Sequence, residues 1–210
     1  MSPCKRNQVE EAISSLLGEH KPSAELRTRL KRLLDTDRGF GRKPHSNDPV
    51  VANYAFYSSE APGKGVEVEF TEYEAFALLT SLRLLQHGWP QGFAVNMLRQ
   101  VRAELEREHA RILKQDPDKL FDEKAIREKA QPGDLYIDNT DPVFLVIVSG
   151  EDSNADDNLT GSICRGIDKV FEFIRRKAAR SWTFHELATS AHKLKYRLSK
   201  VQPRKRGRTA

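Results

Sequence analysis

Apolar residues in the first third of the chain recur at the spacing of one helix face. In NQVEEAISSLLGE, Val9, Ala12, Ile13, Leu16 and Leu17 follow the i, i+3, i+4, i+7 rule, which predicts an amphipathic helix. Gly18 ends it and Lys21-Pro22 turns the chain. Ser23 stands as the cap of a second helix, SAELRTRLKRLLDTDR, whose core stripe is Leu26, Leu30, Leu33 and Leu34. The other positions of that helix hold Arg27, Thr28, Arg29, Lys31 and Arg32. GFGRKPHSNDP (39–49) reads as a loop.

Alternation then replaces the helical period. VVANYAFYS (50–58) and VEVEF (66–70) read as two strands, joined by SEAPGKG into a hairpin with Lys64 at its tip. Thr71 and Glu74 form a T-x-x-E capping box, with Phe70 placed to staple onto the first turn. Ala75, Leu78, Leu79, Leu82 and Leu85 continue at core spacing until Gly88 and Pro90 stop the helix. A further helix is predicted from Phe93 to Leu113, burying Val95, Leu98, Val101 and Leu105 and showing Arg99, Arg102, Arg107 and Arg111.

The second half carries weaker patterns. DPDKLFDEKAIREKA predicts a short helix, and DLYI (134–137) with VFLVIV (143–148) predicts an antiparallel pair around DNTDP. ICRGIDKVFEFIRRKAA places Ile163, Ile167, Val170, Phe171 and Ile174 at helical spacing. Thr183 and Glu186 suggest a second capping box, for TFHELATSAHKLKYRLSKV, and PRKRGRTA reads as a disordered basic tail. The expected fold class is α+β: an N-terminal winged helix-turn-helix over 1–115, a small α+β dimerisation or effector domain over 116–200, and the tail 201–210.

Composition narrows the function classes. The chain has 210 residues, 38% hydrophobic and 31% charged, enough to bury a core beneath a polar surface. No apolar run approaches the roughly 20 residues of a membrane span. MSPCKRNQVEE lacks the apolar region of a secretory signal, and Cys4 and Cys164 show no zinc-site spacing. A cytoplasmic, nucleoid-associated setting is the expectation. The net charge of +5 is unevenly placed: residues 162–210 carry 14 Lys or Arg against 3 Asp or Glu, and 5–43 carry 10 against 6. EDSNADDNLTG (151–161), between them, has four acids and no base. Clustered positive charge favours a polyanion, nucleic acid first.

Catalytic and metal patterns fail on inspection. Asp152, Asn154, Asp156 and Asn158 alternate as in a calcium loop, but Asp157 and Ile163 stand where that loop needs Gly and Glu. Cys164, with His185 and His192 downstream, fits a small buried hydrophobe better than a nucleophile. His87 suits a helix C-terminus. GxxxxGK[ST], HExxH and GxSxG are missing from the sequence. The expectation is a non-enzyme with neither cofactor nor metal.

Helix, tight turn, basic helix, hairpin and further helices follow the order of a winged helix-turn-helix, in which the second helix enters the major groove. VEVEFTEYEAF through LLQHGWPQGFAVNMLRQVR resembles the wing and following helices of MerR-type transcription regulators. The resemblance spans 8–113 and is carried by 66–105; Leu34-Asp35-Thr36-Asp37-Arg38 stands where that family has Arg-Tyr-Tyr. Carried over by position, it implies DNA contacts from Arg27, Thr28, Arg29, Lys31 and Arg32 on the second helix and from Tyr57 and Lys64 on the wing. The expected function is sequence-specific binding of double-stranded DNA by a homodimeric transcription regulator. The alternatives are an architectural factor of the excision or partition type and a non-enzymatic protein-interaction module with basic faces.

Overall fold

The computed structural model describes residues 3–60, 68–130, 132–133, 135–149 and 159–203. The Lys64 tip, the alternating Asp and Asn residues from Asp152 to Asn158, and the tail from Arg204 lie outside them. The architecture is mixed α+β, in two compact units: residues up to Arg102 with the chain from Lys193 onward, and Ala103–His192. No helix among the described residues is long and apolar enough to cross a membrane.

In the first unit, β1 (Cys4–Lys5) leads into α1 (Arg6–Leu16), which buries Val9, Ala12 and Ile13. Gly18, at φ 82, takes the left-handed conformation that ends the helix without a Cβ clash. α2 (Ala24–Phe40) starts where Ser23 Oγ accepts the Leu26 N–H at 3.1 Å, and it buries Leu26, Leu30, Leu33 and Leu34 as the stripe requires. The Thr71–Glu74 box is formed in both directions, at 3.1 and 2.7 Å, and starts α4 (Glu72–Gln86). Residues from Tyr73 to Leu82 are buried without a break, so α4 is a central helix rather than one with a single apolar face. Leu84 is buried at its end, while Leu85 is only partly covered.

The hairpin is where the structure departs most from the pattern. Pro49–Ala52 is a short helix, α3, and residues 53–58 are not a strand. Of VEVEF, Glu69–Phe70 forms β2, and it pairs antiparallel with Cys4–Lys5 rather than with 50–58. Tyr54, Ala55, Phe56 and Tyr57 are all buried, so alternation there does not separate an inner face from an outer one. Their backbone is satisfied by side chains. Asp37 accepts the Ala55 and Phe56 N–H groups at 3.1 and 3.0 Å, and Glu74 Oε1 accepts Ser58 N–H at 2.6 Å. Arg102 donates to the Tyr54 and Ala55 carbonyls at 2.6 and 3.2 Å. A segment paired this way needs no neighbouring strand.

The predicted helix over 93–113 is two helices, α5 (Gln91–Gln100) and α6 (Arg102–Ile112), joined at Val101. Val95, Leu98, Val101 and Leu105 are buried as expected. Arg99 and Arg102 are not on the surface: they are 2% and 7% exposed. Arg99 Nε donates to Asp37 Oδ1 at 2.6 Å, one terminal nitrogen reaches the Gly41 and Val50 carbonyls at 2.9 and 3.1 Å, and the other bonds the Asp37 carbonyl. Its guanidinium also lies 5.4 Å from the ring centres of Phe40 and Tyr54.

The second unit is built on a three-stranded antiparallel sheet of order β4-β3-β5. β3 (Val143–Ser149) is central and buries Val143 to Val148 on both faces, as its unbroken apolar run demands. Its partners are β4 (Leu159–Arg165) and β5 (Ser181–Glu186); residues 135–137, predicted as a strand, are not one. Ile163 and Cys164 therefore sit on a strand, and Gly166, at φ 78, turns the chain into α9 (Ile167–Arg176). Phe144, Val146, Val148, Cys164, Val170, Phe173 and Ile174 form one apolar cluster; Phe171 is outside it and exposed. Asp116 and Asp122 cap two short helices, α7 (Pro117–Leu120) and α8 (Glu123–Lys129), in place of the single one expected.

Thr183 and Glu186 are not a capping box either, since both lie on β5. Glu186 alone performs the cap: its oxygens accept Ala188 N–H at 2.7 Å and Thr189 N–H at 3.0 Å and start α10 (Ala188–Lys200). Burial pushes the Glu186 carboxyl above its usual 4.5, against those N–H groups and the Asn139 amide.

Candidate nucleic-acid interface

α2 is the element that sequence reasoning put against DNA. Successive residues turn by about 100° around a helix, so a stripe through Leu26, Leu30, Leu33 and Leu34 leaves Thr28, Arg32 and Asp35 most directly opposed to the core, with Lys31 beside them. All four are exposed, as are Arg27 and Arg29 on the flanks.

The flanking arginines have nearby acids. Arg27 Nε is 3.4 Å from Glu10 Oε2, and that carboxylate also takes Arg6 Nε at 2.7 Å. Arg29 reaches Glu25 one turn back at 2.5 Å. Arg38 reaches Asp35 at 3.2 Å. Among the described residues, no ion pair involves the side chains of Lys31 or Arg32. The Thr28 hydroxyl donates to Ala24 O at 2.8 Å. Gln91 donates to Thr36 Oγ1 at 2.5 Å and holds the start of α5 against the far half of α2.

A shallow cleft of about 250 Å³ lies beside the N-terminal turn of α2, lined by Glu19, Ser23, Glu25, Arg29, Leu82 and Gln86. Glu19 accepts from Ser23 N–H at 3.2 Å and Ser23 Oγ at 3.3 Å, so a carboxylate already occupies the helix start. That arrangement disfavours a phosphate at this end and leaves the Thr28–Arg32 surface as the part suited to anions.

Tyr57 does not belong to the interface. It is 5% exposed, and burial pushes its phenol up to about 12 despite the opposing charge of Arg38. The NYAFY segment turns inward because Asp37 and Arg102 bind its backbone, which removes Tyr57 from any surface. Five of the seven expected contact residues thus share one helix, one is in the core, and Lys64 lies outside the described residues. Asp37 and Arg99 were missed as organisers of this unit. Their signal was positional: Asp37 continues the Leu26, Leu30, Leu33 stripe, and a charge on a core stripe calls for an opposite charge elsewhere.

Cys164 is buried and its thiol raised by burial, which weakens it as a nucleophile. His192 Nε2 lies 3.0 Å from Ile112 O, with its ring edge-on to Phe121. A cavity of about 390 Å³ is walled by Leu135, Tyr136, Phe144 and Phe184, with Asp138 and Glu186 at its edge. Both acids already accept bonds at the start of α10. No cluster of metal-binding side chains occurs among the described residues. Compared with protein-family models, curated proteins and solved structures, the chain has no significant match.

Proposed function

We propose that the protein binds double-stranded DNA in a sequence-specific way, as a homodimeric transcription regulator whose reading helix is α2. The observation that carries this is the pairing of Lys31 and Arg32, exposed and outside any described ion pair, with a buried leucine stripe directly behind them. A helix seated in the major groove needs that division: one face fixed to the body, the other offering cations and hydrogen bonds to phosphates and base edges. The α1–turn–α2 order supports a helix-turn-helix. Exposed Tyr136, Phe171 and Trp182 support a partner surface in the Ala103–His192 unit, as a dimer requires.

The test is selection of preferred sequences from a randomised duplex pool, followed by anisotropy with the Lys31→Ala/Arg32→Ala protein. Loss of one good base contact costs about 1–3 kcal/mol, so roughly 10- to 100-fold weaker binding at the selected sequence is expected. Unchanged affinity would remove α2 as the reader. A selection that returns no preferred sequence, with tight binding kept, would point to an architectural DNA factor instead.

A further inference from the structure

The strongest unbalanced charge in the chain is not on α2. From Lys193 to Ala210 there are eight Lys or Arg and no Asp or Glu. The helical part of this stretch is the C-terminal portion of α10, which belongs to the same unit as α1 and α2. It turns Leu194 and Leu198 into the core and leaves Tyr196, Arg197 and Lys200 exposed. Among the described residues no ion pair involves Lys195, Arg197 or Lys200, whereas Arg27, Arg29 and Arg38 of α2 all face carboxylates. Lys200 Nζ instead lies 5.3 Å from the ring centre of Tyr196, itself 58% exposed. Gln8 of α1 donates to Val201 O at 2.9 Å and fixes the end of this helix on the unit, just before Arg204, Lys205, Arg206 and Arg208 follow in sequence.

We propose that Lys195, Arg197 and Lys200 form a second contact to nucleic-acid phosphates, independent of sequence. It rests on the nucleic-acid reading of α2 and adds a distinct role to it: α2 discriminates, and this stretch supplies affinity through counterion release. A basic amphipathic helix can also lie on an anionic membrane, but it then needs a free apolar face to insert. In α10 that face, Leu194 and Leu198, is 1% and 3% exposed, so the helix has no free leucine stripe to insert and offers its cations and the Tyr196 ring. Phosphates along a duplex suit such a stripe, since each is met by a cation on a flexible stem without buried apolar area.

The experiment measures anisotropy of two labelled duplexes, one with the selected sequence and one shuffled, across a potassium chloride series. Two full-length proteins are compared: the parent and Lys195→Gln/Arg197→Gln/Lys200→Gln. Each cation engaged contributes about 0.9 to the slope of log K against log salt, so a slope shallower by about 2–3 is expected in the variant. Both duplexes should weaken by the same factor, leaving their ratio unchanged. The Lys31→Ala/Arg32→Ala protein should do the reverse, losing the ratio and keeping most of the slope. Salt-steep binding that is unselective in the parent, yet weakened in the Gln variant, upholds this proposal and defeats the α2 assignment. An unchanged slope in the Gln variant overturns it. So does tighter binding to phosphatidylserine vesicles than to either duplex, or no duplex binding by the parent. Unaltered far-ultraviolet dichroism and an unaltered thermal midpoint are expected in the Gln variant, because Arg197 and Lys200 are exposed and Lys195 is half-buried.

Discussion

Arginines on α2 and arginines at the α5–α6 junction begin from the same sequence context, a basic residue beside a leucine stripe. They end in opposite places. Arg29 and Arg32 are outside, while Arg99 and Arg102 are in the core. The difference follows from what each helix packs against. α2 turns Arg27, Arg29 and Arg32 towards solvent, where water and, for Arg27 and Arg29, nearby carboxylates meet their donors. The α5–α6 junction faces NYAFY and Gly41, whose carbonyls have no strand or helix to bond them. Five fixed N–H donors in one plane make arginine suited to several carbonyls at once. A buried charge is tolerated there because Asp37 balances it and bonds the same segment from the other side.

The most direct way to break this contrast is to remove one member of the buried pair. Asp37→Ala or Arg99→Ala should cost about 3–5 kcal/mol, since an uncompensated charge stays behind. Urea unfolding would show it, and a loss under 1 kcal/mol would mean that the pair is open to water. Arg102→Ala should cost about 1.5–3 kcal/mol, because it leaves the Tyr54 and Ala55 carbonyls unpaired. Thr71→Ala removes one capping bond to α4 and should cost about 1 kcal/mol by the same measurement. On α2, Lys31→Ala/Arg32→Ala should change stability by no more than about 0.5 kcal/mol while affecting DNA binding. If it unfolds the protein, the two sets of arginines are not distinct after all.

A further effect is a pH dependence in the buried segment. Tyr57 holds its proton up to about 12 in the folded state against an ordinary value of 10.0. The folded protein therefore binds that proton more tightly than the unfolded chain does. Its contribution is complete below pH 10 and is lost as pH rises towards 12. Ultraviolet titration of the parent should show a late-ionising phenol that Tyr57→Phe lacks. Loss in the variant of a phenol that ionises near pH 10 would place Tyr57 in solvent.

The helices were largely legible because their signals are local. Ser23, Thr71 with Glu74, Gly18 and Gly88 act on residues within four positions, and each does what its type and place imply. The strands were less legible because their partners are distant. VFLVIV was recognisable from its own composition, but its partners at 159–165 and 181–186 mix polar and apolar residues and match a helix period equally well. NYAFY failed for a related reason: its backbone is satisfied by Asp37 and Arg102, 18 and 48 residues from their bonding partners. On the candidate interface, exposure of Arg27 to Arg32 followed from the stripe. The Arg29–Glu25 pair follows from local i, i+4 spacing, whereas Arg27 faces Glu10 in another helix, and that is decided by packing.

The two buried thiols have a practical consequence. Cys4, on β1 beside Phe70, belongs to the first unit, and Cys164, on β4 in the apolar cluster, belongs to the second. They are the only two cysteines in the sequence. A thiol that reacts only when its surroundings open acts as a clock for that opening. Timed alkylation read by peptide mass would then give two opening rates from one sample, one for each unit, with no label introduced. Added DNA should slow the Cys4 clock more than the Cys164 clock, because the proposed contacts on α2 and α10 both lie in the unit that holds Cys4.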